Sequence, residues 1–362
     1  MGATFALVTG GRAERRTVPL MGVRLEPADE YMHELGPESN FNESMYINCF
    51  DPEHLVGGWF RMGNRANEGS AEMTVCLYLP DGKVGFMFKR PTIDNNDALD
   101  AGGLTWTMVS PFEELRVDYV GKVVVLDEPL QMANPKEAFT NNPYADCEVH
   151  LIFTGQGRPS MFGGEPDESH EVPGEEFAKG HYEQLVEASG TIRVGDREWE
   201  INGCGLRDHS WGPRYWQAPW YYRWLTANFG RDRGFMASRV ARKDGPGTRG
   251  GFVWEDGKLH LCDHVEVSTE FEGDDTYHQR ISGLLKSSRH NKEWEFTGEV
   301  INLIPLRNRR QDPDGNWLVT RISEGMTRWT LSSGDQHEQH VGYGLSEYLD
   351  QIIDDKPVGI AE

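Results

Sequence analysis

Cysteine is scarce in this chain. The five residues, at positions 49, 76, 147, 204 and 262, are too few and too scattered for a disulfide framework, and their odd number leaves at least one unpaired within the chain. Long apolar runs are missing as well. No window approaches the roughly 18 consecutive apolar residues that a membrane helix requires, so no stable membrane insertion is expected. Positive charge is in the minority, with 36 Lys and Arg against 58 Asp and Glu and a formal net charge of −22. Nucleic acid and anionic membranes would repel such a protein at long range. The basic clusters Arg12, Arg15 and Arg16, and Arg307, Arg309 and Arg310, are short and read as solvated loops. The opening MGATFALVTGGRAERR has no basic leader with an apolar stretch behind it, and Ala6 stands where a myristoylation signal wants Ser or Thr. A cytoplasmic location is the expectation. Phosphate-cradling loops are absent too. Leu7-Val8-Thr9-Gly10-Gly11 begins like a nucleotide-binding turn, but Arg12-Ala13-Glu14-Arg15-Arg16 follows instead of the further glycines that open a helix to pyrophosphate. No cofactor is expected.

What the chain does contain is β-forming. With 38% hydrophobic and 26% charged residues it has the material for packed cores. Strand–turn–strand grammar recurs: Glu72–Leu79 and Val84–Lys89 flank Pro80-Asp81-Gly82-Lys83, and Phe252–Trp254 and Leu259–Leu261 flank Asp256-Gly257. Gly190–Val194 and Trp199–Ile201 flank Gly195-Asp196, and Tyr222–Phe229 turns at 231–234 into Phe235–Val240. Long strands are expected at 264–271, 277–285, 293–304 and 317–331. Helical signals are two: a short turn at Pro135–Phe139, and Leu345–Ile353, whose apolar residues fall at helical spacing. The expected fold is all-β, with two tandem lipocalin-like antiparallel barrels or sandwiches and a short C-terminal helix. The turn-rich acidic stretch 155–178 is the expected connection. It divides the chain into an N-terminal extension (1–24), a first β-domain (25–178) and a second (179–362).

Residues 203–224, GCGLRDHSWGPRYWQAPWYYRW, hold four of the eleven Trp and three Tyr, interleaved with Arg207, Asp208, His209, Ser210, Arg214 and Arg223. A carboxyl among rings is desolvated and its pKa rises, so it can remain a proton donor near neutrality. Aromatic faces stabilise a developing cation by about 0.5–2 kcal/mol each. An acid in a ring-lined, water-poor cavity is what protonation of an alkene requires. A structural ion pair between Arg207 and Asp208, with the rings as core, would account for the same residues. Along the strand expected at 181–183, His181 and Glu183 point to one face, as a second acid–base pair near Asp208 if that face is interior and as a solvated polar stripe if it is not. His337-Glu338-Gln339-His340 lacks the spacing of a zinc-protease helix, and no ligand set of four assembles, so no metal is expected.

The run Gly205-Leu206-Arg207-Asp208-His209-Ser210-Trp211-Gly212-Pro213-Arg214 resembles the signature of the carotenoid 1,2-hydratase (hydroxyneurosporene synthase) and AttH-like superfamily. The chain resembles a bacterial branch of that group more closely still, through Asn40–Tyr46, Gly57–Phe60, Asn67–Gly69, Gly180–Gln184 and the 205–214 run, and the likeness spans residues 38–345. The resemblance implies two lipocalin-like barrels and water addition to an isoprenoid double bond without a redox cofactor. Asp208 would then be the proton donor or its partner, and His209 a relay or water-positioning group. Glu43, Glu68 and Glu183 are alternative acids. The expected catalytic set is Asp208, His209, Glu183 and His181. The expected substrate contacts are Trp211, Arg214, Tyr215, Trp216, Tyr221, Tyr222, Glu43 and Trp59, with Arg207 in a structural ion pair. The partner expected is a small apolar or isoprenoid-like molecule. The expected function is a hydratase, dehydratase or isomerase, including cyclisation; a non-catalytic carrier or sensor of an apolar ligand is the alternative.

Overall fold

A computed structural model describes residues 23–156, 161–166, 178–245, 247–273, 276–312, 314–333 and 336–361. The N-terminal run 1–22, with the Leu7–Gly11 motif, and most of the proposed connection at 155–178 lie outside the described residues. The expected all-β architecture is present as two large antiparallel sheets.

In the first sheet the strands Phe41–Asp51, Val56–Arg65, Ser70–Tyr78, Val84–Lys89 and Glu114–Leu126 pair in succession. Tyr144–Gly155 pairs with Glu114–Leu126 on one side and with Gly180–Val194 on the other. Arg197–Pro213 then pairs with Gly180–Val194 and with Phe41–Asp51, so the hydrogen bonding closes on itself as a barrel and leaves no free edge among these strands. The second sheet runs in the order 258–262, 248–255, 233–241, 221–228, 336–353, 317–333, 292–311, 277–287 and 264–272. No described helix is long and apolar enough to cross a membrane.

Strand alternation partitions the side chains. Met45, Ile47, Phe60, Met62, Val75, Val117, Val149 and Phe153 fill the barrel interior. The opposite face of the same strands presents Tyr46, Trp59, Tyr78 and Phe86, which pack with Ile304, Met326 and Leu345 of the second sheet. The two sheets are thus joined through the outer wall of the barrel.

The Asp-Gly hairpins form where expected. Asp256 and Gly257 both take positive φ (51° and 72°), the geometry a two-residue hairpin turn demands. The short helix is Pro135–Asn141. One expectation is corrected. Leu345–Ile353 is not a helix but the end of the strand Gln336–Ile353, paired on both sides. Both faces are buried from Leu345 to Gln351, so polar and apolar residues do not alternate, and the apolar spacing imitates a helical stripe. Gly180–Pro213 hydrogen-bonds into the first sheet, and the second sheet takes up the chain from Tyr221.

Candidate active site

A cavity of about 630 Å³ lies between the barrel's outer wall and the second sheet. Tyr46, Trp59, Phe86 and Phe139 line its apolar part. His181, Glu183 and Asp208 from the barrel face Tyr222, Glu324 and Glu347 from the second sheet across its polar part. Two adjacent strands build the barrel side. Glu183 stands directly opposite Asp208, and His181 opposite Ser210, so the i, i+2 periodicity brings all four to one face.

His181 Nε2 contacts Asp208 Oδ2 in an ion pair and lies 3.6 Å from Glu183 Oε1. Its side chain is 39% exposed, toward the cavity. Enclosure by protein works against the imidazolium, but the charge and hydrogen bond of Asp208 outweigh it and push the pKa up to about 9. Glu183 is buried. Its Oε1 accepts a hydrogen bond from Trp224 Nε1 (2.8 Å), while Oε2 has no partner. Burial, with Asp208 adding to it against the opposing pull of His181, pushes Glu183 up to about 7. On the facing sheet, burial and the neighbouring Glu347 carboxyl hold the pKa of Glu324 well above the ordinary carboxylate range. Glu347, also raised by burial, accepts a hydrogen bond from the Tyr222 hydroxyl. One cavity therefore brings together the His181–Asp208 ion pair, Glu183 raised to about 7, and two further carboxyls raised by burial.

Of the expected site residues, His181, Glu183, Asp208, Trp59, Arg214, Trp216 and Tyr222 line this cavity. His209, Trp211, Glu43 and Arg207 do not. They alternate with the cavity-lining residues and point to the other face of the sheet, into the barrel mouth. There His33 Nδ1 and His209 Nε2 donate to Glu43 Oε1 at 3.0 and 2.6 Å, and His33 stacks on Trp211 with 3.9 Å between ring centroids. Arg207 forms a buried ion pair as expected of it, but with Glu30 and not with Asp208. Tyr215 is half-buried and outside the lining. Tyr221 packs under Arg223 and Arg239.

The Glu43 network has a pH signature. Burial disfavours the carboxylate, but hydrogen bonds and charge from His209 and His33 prevail and lower its pKa to about 2. A depressed carboxyl contributes stability above its unfolded value of 4.5 and loses it as pH falls through the folded value. Glu43→Gln is expected to lower stability at pH 7 by about 3 kcal/mol. In urea denaturation the gap to the unmodified protein should narrow steadily from pH 5 toward pH 3; a gap independent of pH would contradict this role.

Sequence reasoning missed Glu324, Glu347, Trp224, Tyr46 and Arg61 as cavity residues. Glu324 and Glu347 pair across adjacent strands, and reading 345–353 as a strand would have put Glu347 beside Leu345 on one face. Two groups of donors are close enough to share a cation, His181 with Glu183 and Asp208, and His33 with Glu43 and His209. In each, the candidate donor atoms lie within 4.8 Å of one another.

A family model described as "Domain of unknown function (DUF7064)" matches residues 26–352. No curated protein matches the chain in sequence. Among solved structures, CghA with Sch210972 superposes with a TM-score of 0.53 at 13% identity, over 91% of this chain and 97% of that one. Kievitone hydratase from Nectria haematococca superposes with a TM-score of 0.57 at 10% identity, over 92% of this chain and 94% of that one. At these identities the likeness is one of fold.

Proposed function

The chain belongs to the DUF7064 family, and from the chemistry of its cavity we propose that it is a hydratase, dehydratase or isomerase that works without a cofactor on an isoprenoid-like alkene or alcohol. The observation that carries this reading is the placement of buried carboxyl groups across one aromatic-lined cavity: Glu324, its pKa raised by burial, shares the cavity with Glu183 and the His181–Asp208 pair. The fold shared with kievitone hydratase supports it.

In the hydration direction Glu324 gives its proton to an alkene carbon. The π electrons form the new C–H bond and leave a carbocation on the neighbouring carbon. The faces of Trp59, Trp224 and Tyr46 lie in the same cavity and would stabilise that charge. Water attacks the cation, and the proton it releases goes to Glu183, poised near neutrality. Solvent then removes that proton and reprotonates Glu324. The reverse sequence is dehydration, and loss of a different carbon-bound proton is isomerisation. Asp208, the donor the sequence favours, is assigned instead to holding His181 as an imidazolium.

The test is native mass spectrometry of the protein with a panel of terpenoid alkenes and alcohols, followed by gas chromatography of the recovered ligands. A product differing by one water, or an isomer of the ligand, is the expected result. Ligands that bind and return unchanged across the panel would replace this reading with that of a carrier.

A further inference from the structure

Ser44, Arg61, Ser210 and Arg214 line the polar end of the cavity. On the same face of the strands Phe41–Asp51 and Val56–Arg65, just beyond that lining, Asn42 and Arg65 flank Gly63, which has no side chain. A Cβ at Gly63 would meet Arg61 Nη2 at 2.9 Å and Asn42 Oδ1 at 3.0 Å, so the guanidinium and the amide converge over the gap that the glycine leaves. The Arg61 and Arg214 guanidiniums also share the Trp216 ring, their Cζ atoms 5.5 and 5.6 Å from its centroid.

Hydrogen bonding at this end is incomplete. Arg61 Nη2, Arg65 Nη1 and both polar atoms of the Asn42 amide are buried without a partner. Asn42 is 1% and Arg65 8% exposed. A buried polar group left unmet is costly, a cost that a ligand reaching it would remove. Arg61, Arg65 and Arg90 share Glu68 and Glu72.

We propose that this end of the cavity is a carboxylate-binding site, so that the natural ligand is an amphipathic organic acid. Its carboxylate lies between Arg61 and Arg214 on the Trp216 platform, and its apolar body runs along Trp59, Phe86 and Phe139. Arg61 supplies the donor that has no partner, and planar guanidinium matches planar carboxylate. Burial and then Arg61 lower the Arg214 pKa to about 10 against the opposing pull of Asp208, and an anion between the two guanidiniums relieves their repulsion. This deepens the proposed function by naming its substrate class, and rests on that reading only for the isoprenoid body.

Isothermal titration calorimetry with matched probes tests it: farnesoic acid, methyl farnesoate and farnesol, then dodecanoate and dodecanol. Both acids are expected to bind at least about ten-fold tighter than their neutral counterparts at pH 7.5, equivalent to about 1.4 kcal/mol. Arg61→Gln should reduce that preference to below about two-fold while farnesol affinity is retained, which also shows the variant to be folded. Arg61→Lys should keep part of the preference. Acids and neutral analogues binding alike, neither acid binding, or a preference that survives Arg61→Gln would each overturn the site. An acid preference without turnover of any probe would leave the site standing and sink the catalytic reading. Turnover of farnesol without an acid preference would do the reverse.

Discussion

Arg207→Ala is expected to lower the stability of the folded protein by about 3–5 kcal/mol, the range for breaking a buried ion pair from one side. The guanidinium donates from Nη1 and Nη2 to the two carboxylate oxygens of Glu30 at 2.6 and 2.8 Å, and from Nε to Gln184 at 2.8 Å. Glu30 is fully buried and also accepts from the Phe112 backbone N–H and the Tyr182 hydroxyl. Without Arg207 a carboxylate remains in the interior with no opposing charge, and the short 3-10 turn Pro27–Glu30 loses its anchor on the barrel mouth. Removing both charges costs less than removing one, because the penalty comes from the uncompensated partner. Arg207→Met with Glu30→Leu should therefore recover a large part of the loss. Urea denaturation followed by tryptophan fluorescence measures both variants. A loss below about 1 kcal/mol for Arg207→Ala, or no recovery in the double variant, would show that the pair does not hold this end of the barrel.

The second large effect is on chemistry. Glu324→Gln removes the only proton the proposed mechanism can deliver to carbon, and turnover should fall by about 10²–10⁴-fold. Glutamine keeps the shape of the side chain, so ligand affinity should change little. The pH profile separates the partners. Glu183 accepts a proton, so activity rises as pH passes its value of about 7. The imidazolium of His181, held by Asp208, favours the Glu183 carboxylate until it deprotonates near 9, and activity falls there. A bell between those limits is expected, and Glu183→Gln should lose its acid limb together with most of the rate. Turnover unaffected by Glu324→Gln would move the donor to another carboxyl, and a flat profile from pH 6 to 8 would exclude Glu183 as the base.

The hairpins were legible in the sequence because their cause is local. Asp256-Gly257 needs two positive φ angles whatever surrounds it, and a two-residue turn sets the register of both flanking strands. The shared face of His181 and Glu183 was legible for a similar reason, since i and i+2 in any strand point the same way. The same rule, applied through the aromatic stretch, divides it. Asp208 and Ser210 turn to the cavity, while Arg207, His209 and Trp211 turn into the barrel. Treating that stretch as one site merged two faces of a strand. The misreading at 345–353 arose where alternation is silent, because Leu345 and Glu347 lie on the cavity side and Tyr348 in the core of the second sheet.

The strand-rich class, the turn positions and the ionisable side chains at 181, 183 and 208 could be read from the sequence. These depend on backbone conformation and on neighbours within a few residues. The tertiary structure alone decided which acids meet. Glu324 and Glu347 lie more than a hundred residues beyond Asp208 and reach it only because the second sheet packs on the barrel's outer wall. Their raised pKa values are a product of that packing, since a carboxyl is not raised until surrounding protein removes its water.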